Sequence, residues 1–337
     1  MRTFQFLPLW EENGVQTKVS PFFSENYLNQ LYAAKRPGIS TVLASYLRRF
    51  GVLLTAFRYD LIWIEKELFP YLPPWAEYLL NRFGKPYVVD YDDAIFHNYD
   101  RSPNWLLRSL LAKKIDKVMK YSALVLAGNE YLESRAWVAG AGAVELLPTV
   151  IDPEKYRVKT EKGDKVTLGW IGSPTTLKYL ASLKKVFEEL AKKHSFRLLV
   201  VNAPGVRMED INCDVTYIPW TEAGEVDLIQ QMDIGMMPLE NNKWERGKCA
   251  YKLIQYMACG LPVIASPVGV NAEVVDHGVN GYLADHQSEW VFYLSELINN
   301  PGRRRQMGVK GRSLVEEKYT REKNFQKMKS LVEKLLK

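Results

Sequence analysis

Hydrophobic positions along the chain follow two alternating patterns. Short runs of β-branched and aromatic residues are separated by longer stretches in which apolar residues recur every three or four positions. The short runs suit strands buried on both faces and the longer spacing suits helices, so their alternation predicts parallel α/β architecture. In the first half the pattern predicts strands at Val15–Ser20, Asp60–Ile64, Tyr87–Asp90, Ala123–Ala127 and Val144–Leu147. Helices are expected between them at Thr3–Glu12, Glu25–Lys35, Thr41–Phe57, Trp75–Arg82, Asn104–Lys120 and Glu130–Trp137. A second alternation begins after Pro153 and the charged run Lys159–Lys165, with strands at Val166–Ile171, Arg197–Asn202, Val215–Ile218, Ile234–Met237 and Pro262–Ala265.

The charged run, close behind Pro148 and Pro153, is the natural linker. The expected organisation is therefore two Rossmann-like domains, residues 1–155 and 156–320. A closing helix over 321–337, with Phe325, Met328, Leu331 and Leu335 at near-helical spacing, is placed to pack back on the first domain. A doubly wound domain normally opens on its central strand. Here a helix comes first, so the first domain is expected to lack that strand, through truncation upstream or through a sheet built without it.

Composition narrows the class. At 337 residues the chain is long enough for two cores, and 47% hydrophobic with 25% charged residues is globular composition. No run approaches the roughly 20 apolar residues of a membrane span, and the N-terminus lacks a secretory pattern. Three cysteines, Cys213, Cys249 and Cys259, have no metal-binding spacing and read as reduced thiols of a cytoplasmic protein. The net charge of +6 suits phosphates or an anionic membrane, but its basic residues are interspersed with acids, which argues against nucleic acid.

The densest chemistry lies in Trp244-Glu245-Arg246-Gly247-Lys248-Cys249-Ala250-Tyr251-Lys252-Leu253-Ile254-Gln255-Tyr256-Met257-Ala258-Cys259-Gly260-Leu261-Pro262-Val263-Ile264. Gly247 gives a flexible entry and Gly260 a C-terminal cap for a helix whose Ala250, Leu253, Ile254 and Met257 form its buried stripe. Lys248, Lys252 and Gln255 share another face. A helix N-terminus carrying lysines in its first turns suits a diphosphate, because N–H groups, dipole and ammonium groups all favour anions. Gly169-Trp170-Ile171-Gly172-Ser173-Pro174-Thr175-Thr176-Leu177-Lys178 is a strand ending in a small-residue turn. Gly172 and Ser173 could admit a pyrophosphate there, with Lys178 one turn on, although an ordinary capped turn explains the same residues.

These residues resemble the donor-binding half of family 4 glycosyltransferases, whose E-A-M-A-x-G-x-P-V-I signature is similar to Tyr256-Met257-Ala258-Cys259-Gly260-Leu261-Pro262-Val263-Ile264. The likeness continues through Val268-Gly269-Val270, Glu273 and His277-Gly278-Val279-Asn280-Gly281-Tyr282-Leu283. It implies a GT-B fold of two domains facing a cleft, retaining transfer from a nucleotide-sugar donor, and no essential metal or other cofactor. Gly172, Ser173, Lys178, Arg246, Lys248, Lys252 and Gln255 are then the expected donor-binding residues. The family's paired glutamates fall on Gly247 and Gln255. An amide at 255 can still bond a ribose diol. The donor-sugar glutamate is missing, with Glu240 and Glu245 as candidate replacements.

In the first half, Asp90-Tyr91-Asp92-Asp93-Ala94-Ile95-Phe96-His97 follows a predicted strand. Carboxyl ends of parallel strands bind ligands, so Asp92, Asp93 and His97 are the expected catalytic residues toward the acceptor hydroxyl. Asp90 and Asp92 also look like a metal pair. Asn129 and Thr149 are weaker candidates. The stretches Thr41–Arg58 and Asn104–Lys120 are basic and amphipathic. They suit peripheral contact with the inner face of a membrane and a lipid-linked or glycan acceptor, and equally suit helices packed on a sheet. The function expected is a hexosyl-type sugar transferase. The alternatives are a nucleotide-sugar epimerase on the same fold and a non-catalytic nucleotide-sugar-binding subunit.

Overall fold

A computed structural model describes the chain except for residues 1, 25–26, 28–29, 31–37, 159–162 and 210. The expected helix Glu25–Lys35 and the first part of the Lys159–Lys165 linker lie largely outside the described residues. The chain divides into two compact units, Met1–Leu147 with Phe325–Lys337, and Pro148–Asn324.

Unit 1 holds strands β1 (Ile62–Glu65), β2 (Tyr87–Tyr91), β3 (Leu124–Ala127) and β4 (Val144–Leu146). All pair in parallel, in the order β1-β2-β3-β4. β2 and β3 are buried at every position, as the helix-covered faces of a parallel sheet require. The sheet runs in sequence order without reversal, and among the described residues no strand precedes β1.

Val15–Ser20 is not a strand. The backbone there finds side-chain partners instead of a sheet: Arg49 Nη2 donates to the Ser20 carbonyl at 2.8 Å and Arg48 Nη2 to that of Phe22 at 2.7 Å. Asn104–Lys120 is two helices, Trp105–Leu111 and Lys114–Tyr121, the first capped by Asn104 Oδ1. The stripe Leu111, Ile115 and Val118 faces the core. The closing helix Arg321–Leu335 starts in unit 2 and, from Phe325, belongs to unit 1. Phe325 is buried there, edge-on to Trp10 at 4.8 Å and near Phe6 at 6.5 Å.

Unit 2 holds β5 (Val166–Ile171), β6 (Phe196–Asn202), β7 (Val215–Pro219), β8 (Ile234–Met237), β9 (Val263–Ala265) and β10 (Gly281–Leu283). They pair in parallel in the order β10-β9-β8-β5-β6-β7. Alternate residues feed two cores: Ile171, Leu199 and Val201 on one face, Leu168, Trp170 and Val200 on the other. Helix Tyr251–Ala258 fills the first core with Leu253, Ile254 and Met257, and Gly260 ends it at φ +73°. Helix Pro301–Lys318 lies directly on it, so close that a Cβ at Gly308 would stand 1.9 Å from the Gly260 carbonyl oxygen.

The strand order reverses between β5 and β8. These two strands pair only through Leu168 and Gly169, then part. The Ile171 N–H is taken by the Tyr256 hydroxyl at 2.9 Å. Such a switch point opens a crevice at the carboxyl ends of the strands, the place where open α/β sheets bind ligands.

Candidate active site

The segments that follow β5 and β8 carry residues singled out from sequence. β5 runs into Gly172 and Ser173. A Cβ at Gly172 would lie 2.1 Å from the Trp170 ring, so glycine is required by the indole folded beneath it. Ser173 and Thr176 form a reciprocal capping box, Ser173 N–H donating to Thr176 Oγ1 at 3.0 Å. Lys178 follows, exposed, with its ammonium 4.9 Å over the Tyr179 ring.

On the other side, β8 leads through the short turn Glu245–Gly247 into helix Tyr251–Ala258. The left-handed residue at this entry is Ala250, φ +52°, not Gly247. Non-glycine residues in that conformation carry local strain of the kind that collects at binding sites. Glu245 is buried, accepts a hydrogen bond from the Tyr179 hydroxyl and lies 3.5 Å from Lys248 Nζ. Lys248 lies in extended backbone before the helix, not in its first turn as expected, whereas Lys252 is in that turn, its ammonium 4.8 Å from the centre of the Trp170 ring. Burial, then the neighbouring Lys248, lowers its pKa to about 7. Gly172, Trp170, Lys252, Lys248, Glu245, Tyr179 and Lys178 thus form one continuous constellation. Arg246 is exposed and donates to Asn241 at 3.0 Å.

Gln255 stands apart. It is 2% exposed, and its amide nitrogen donates to the Tyr156 hydroxyl at 2.8 Å and to Glu225 Oε1 at 2.7 Å. Glu225 also accepts from Tyr156 Oη at 2.5 Å and from the Trp220 indole at 2.9 Å. Both N–H groups of Gln255 are therefore spent inside the protein, and its side chain closes a buried network. Of the two candidate replacements for the missing sugar glutamate, Glu245 is likewise enclosed, whereas Glu240 is exposed just beyond β8.

In unit 1 the residues after β2 separate into different roles. Asp90 is buried against Arg2, whose Nε lies 3.1 Å from Oδ1, and burial raises the Asp90 pKa to about 6. That pairing removes Asp90 from any metal pair with Asp92. Asp92 and Asp93 are about one-third exposed, and Lys66 Nζ approaches them at 3.3 and 3.8 Å. Burial alone would lower the Lys66 pKa, but the two carboxylates outweigh it and hold it above its ordinary value. Lys66 itself is left-handed at φ +70°.

His97 does not have the place expected of a base that touches substrate. Its side chain is 5% exposed, Nδ1 is 2.7 Å from Asp100 Oδ1 and Nε2 is 2.9 Å from Tyr131 Oη. Burial lowers its pKa, against the pull of Asp100. Both of its ring nitrogens are thus engaged within unit 1. Asn129 caps helix Glu130–Ala139 through Leu132 N–H at 2.9 Å, and Thr149 is buried.

Tyr156, Trp170, Tyr179, Glu225 and Lys66 were not found from sequence. Only Trp170 lies inside a recognisable motif. The others reach the sites from positions whose spacing carries no signal.

Residues 165–300 match the family model described as Glycosyl transferases group 1. No curated protein sequence matches the chain. Among solved structures, sucrose-phosphate synthase from Thermosynechococcus elongatus is similar at a TM-score of 0.69 and 18% identity, over 87% of this chain and 78% of that one. HepE from Anabaena, solved in complex with UDP, has a TM-score of 0.67 and 16% identity, over 98% and 89%. A glycosyltransferase from Rickettsia africae has a TM-score of 0.62 and 11% identity, over 98% and 88%. Residues 165–300 are thus similar to the group 1 glycosyl transferase family, in a chain built of two Rossmann-like units with the fold of the GT-B glycosyltransferases.

Proposed function

We propose that the protein transfers a sugar from a nucleoside-diphosphate donor to an acceptor hydroxyl, with the donor's diphosphate held at the β5–β8 crevice. The observation that carries this reading is the pair of cations at the entry to helix Tyr251–Ala258: Lys248, extended just before it, and Lys252, in its first turn over the Trp170 ring that underlies Gly172. Two ammonium groups and a helix N-terminus stabilise the charge that gathers on a departing nucleoside diphosphate. In the step itself, the bond from the anomeric carbon to the diphosphate oxygen breaks and its electron pair leaves with the diphosphate. The acceptor oxygen bonds that carbon, and its hydroxyl proton passes to the departing diphosphate oxygen. Lys178 and Arg246 are assigned as outer cations of the site, and Glu240 as the carboxylate nearest the sugar.

Gln255 is reassigned from ribose ligand to support: it fixes the helix through Glu225 and Tyr156. The acceptor is assigned to the strand ends of unit 1, where Asp92 and Asp93 offer carboxylates to a hydroxyl. A uridine donor is favoured because Anabaena HepE is solved both with UDP and with UDP-glucose. Retention of anomeric configuration, independence of metal, a hexosyl group and a glycan or lipid-linked acceptor complete the reading, on the resemblance of the 244–264 segment to family 4.

The test is a titration of nucleoside diphosphates and their sugars, followed by melting temperature with and without chelator. One nucleotide should raise the melting temperature, and Lys248→Ala should abolish the rise, since a ligand stabilises the state it binds. If no nucleotide shifts the protein, or Lys248→Ala binds as tightly as the parent, the donor site lies elsewhere. A non-catalytic binding subunit would bind the same nucleotide yet neither hydrolyse nor transfer the sugar. An epimerase would convert the sugar with no acceptor present.

A further inference from the structure

Helix Ile39–Leu54 in unit 1 is amphipathic with its apolar side outward. Ile39, Leu43, Leu47, Phe50 and Leu54 recur every three or four residues on one face and are 46 to 88% exposed. The surface continues onto helix Trp75–Arg82. Phe50 meets Trp75 at 6.2 Å, and Phe57, just past the first helix, meets Phe83 at 6.1 Å, both phenylalanines of this second pair more than half exposed. Helix Lys114–Tyr121 joins the layer through Tyr121, 5.5 Å from Tyr78. A patch of this extent on a water-soluble surface marks an interaction site.

Charge selects the partner. Across residues 39–60, 75–86 and 105–121 the exposed cations include Arg58, Arg82, Lys113, Lys117 and Lys120, while Asp60 is the one exposed acid. Glu77 is 1% exposed, and Asp116 is held by Arg135 at 2.7 Å. Among the described residues no helix is long and apolar enough to cross a membrane. An apolar stripe with a basic surround and no spanning length is the pattern of a helix lying in a lipid interface, its leucines in the acyl boundary and its cations at anionic headgroups. We infer that this face of unit 1 binds the surface of an anionic lipid bilayer. The inference stands apart from the donor site and does not depend on transferase activity.

The test is co-sedimentation with phosphatidylcholine vesicles, pure or carrying about 30% phosphatidylglycerol. The protein should partition onto the anionic vesicles roughly tenfold more strongly than onto the neutral ones, and lose most of that advantage in about 0.5 M salt. Leu47→Glu/Leu54→Glu should cut partitioning at least about tenfold with the melting temperature unchanged, because both side chains project from the core. Arg58→Glu/Arg82→Glu should erase the preference for anionic vesicles. Failure to bind vesicles, equal binding to both kinds, or full binding by the Leu47→Glu/Leu54→Glu variant would overturn the inference. So would a parent dimer that this variant converts to a monomer, which would give the stripe to a second copy of the chain.

Discussion

The Lys252 ammonium lies 4.8 Å over the Trp170 indole, and that indole in turn lies under Gly172. A cation on an aromatic face is held without being neutralised, so it stays available to an anion. The stack ties the charge of the helix to the position of the glycine turn.

Proton uptake on nucleotide binding follows from this. With a pKa of about 7 against an ordinary 10.5, Lys252 is protonated in folded and unfolded chains alike below pH 7. Between pH 7 and 10.5 the unfolded chain binds more protons, so Lys252 makes the folded state more stable as pH rises across that window. A bound diphosphate reverses the shift by favouring the charged amine. Calorimetry at pH 8 in buffers of different ionisation enthalpy should therefore register uptake of close to one proton per nucleoside diphosphate. Lys252→Met should remove it. Equal uptake in parent and variant would separate Lys252 from the phosphates.

Gly172→Ala tests the stack from the other side. The new methyl would meet the Trp170 ring at 2.1 Å and Thr176 Oγ1 at 2.8 Å, so the indole must move and take its hold on Lys252 with it. We expect a loss of about 1–3 kcal/mol in stability by denaturant titration and nucleotide affinity weakened about tenfold. Gly142→Ala, where nothing lies within 4 Å, is the control and should change neither. An unaltered affinity in Gly172→Ala would mean that the turn tolerates displacement.

Restoring the family's glutamate at position 255 should harm this protein. Gln255 Nε2 lies 2.7 Å from Glu225 Oε1, so Gln255→Glu sets two carboxylates together in a buried site, and one must keep its proton. A carboxyl whose folded pKa is raised stabilises below its unfolded value and loses that stability as pH rises. The variant should melt near the parent at pH 5 and well below it at pH 8, diverging by up to about 1.4 kcal/mol per pH unit. A deficit that is constant with pH, or larger in acid, would contradict the assignment.

Arg2→Ala should destabilise unit 1 in the same direction. Arg2 Nε is 3.1 Å from Asp90 Oδ1, and Asp90 already titrates near 6 with the guanidinium present. Without it a buried carboxylate stands unpaired, at a cost of about 3–5 kcal/mol above neutrality that shrinks as the group protonates toward pH 5. Adding Asp90→Asn should recover most of the loss, because it removes the charge. Denaturant titrations at pH 5 and pH 8 measure both effects.

Much of this was legible in the sequence. Runs such as Tyr87–Asp90 and Val166–Ile171 are apolar because both faces of a parallel sheet are covered, and a run of that kind reads as a strand without tertiary knowledge. Val15–Ser20 had the same β-branched character, but a strand needs a partner edge, which no local pattern reports. Near the switch point the expected helix face is only partly formed: Lys252 and Gln255 lie on helix Tyr251–Ala258, but Lys248 is extended before it, because the left-handed Ala250 starts the helix three residues later than the spacing suggests. Gln255 is one turn beyond Lys252, and only the approach of Glu225 and Tyr156, from 30 and 99 residues away in sequence, encloses it. The enclosure of His97 is hidden for a similar reason: its partner Tyr131 comes from a different helix. The outward stripe of Ile39–Leu54 and the inward stripe of Lys114–Tyr121 are the same pattern in sequence, and only burial tells them apart.

The burial of Phe325 against Phe6 and Trp10 has a consequence for biosynthesis. The aromatic cluster that starts near residue 6 is finished by a helix translated some three hundred residues later. During synthesis all of unit 2 leaves the ribosome before unit 1 can close. The nascent first unit must wait with Phe6 and Trp10 uncovered, a natural client for a chaperone. Deleting Phe325–Lys337 would leave unit 2 whole and strand the amino-terminal one open.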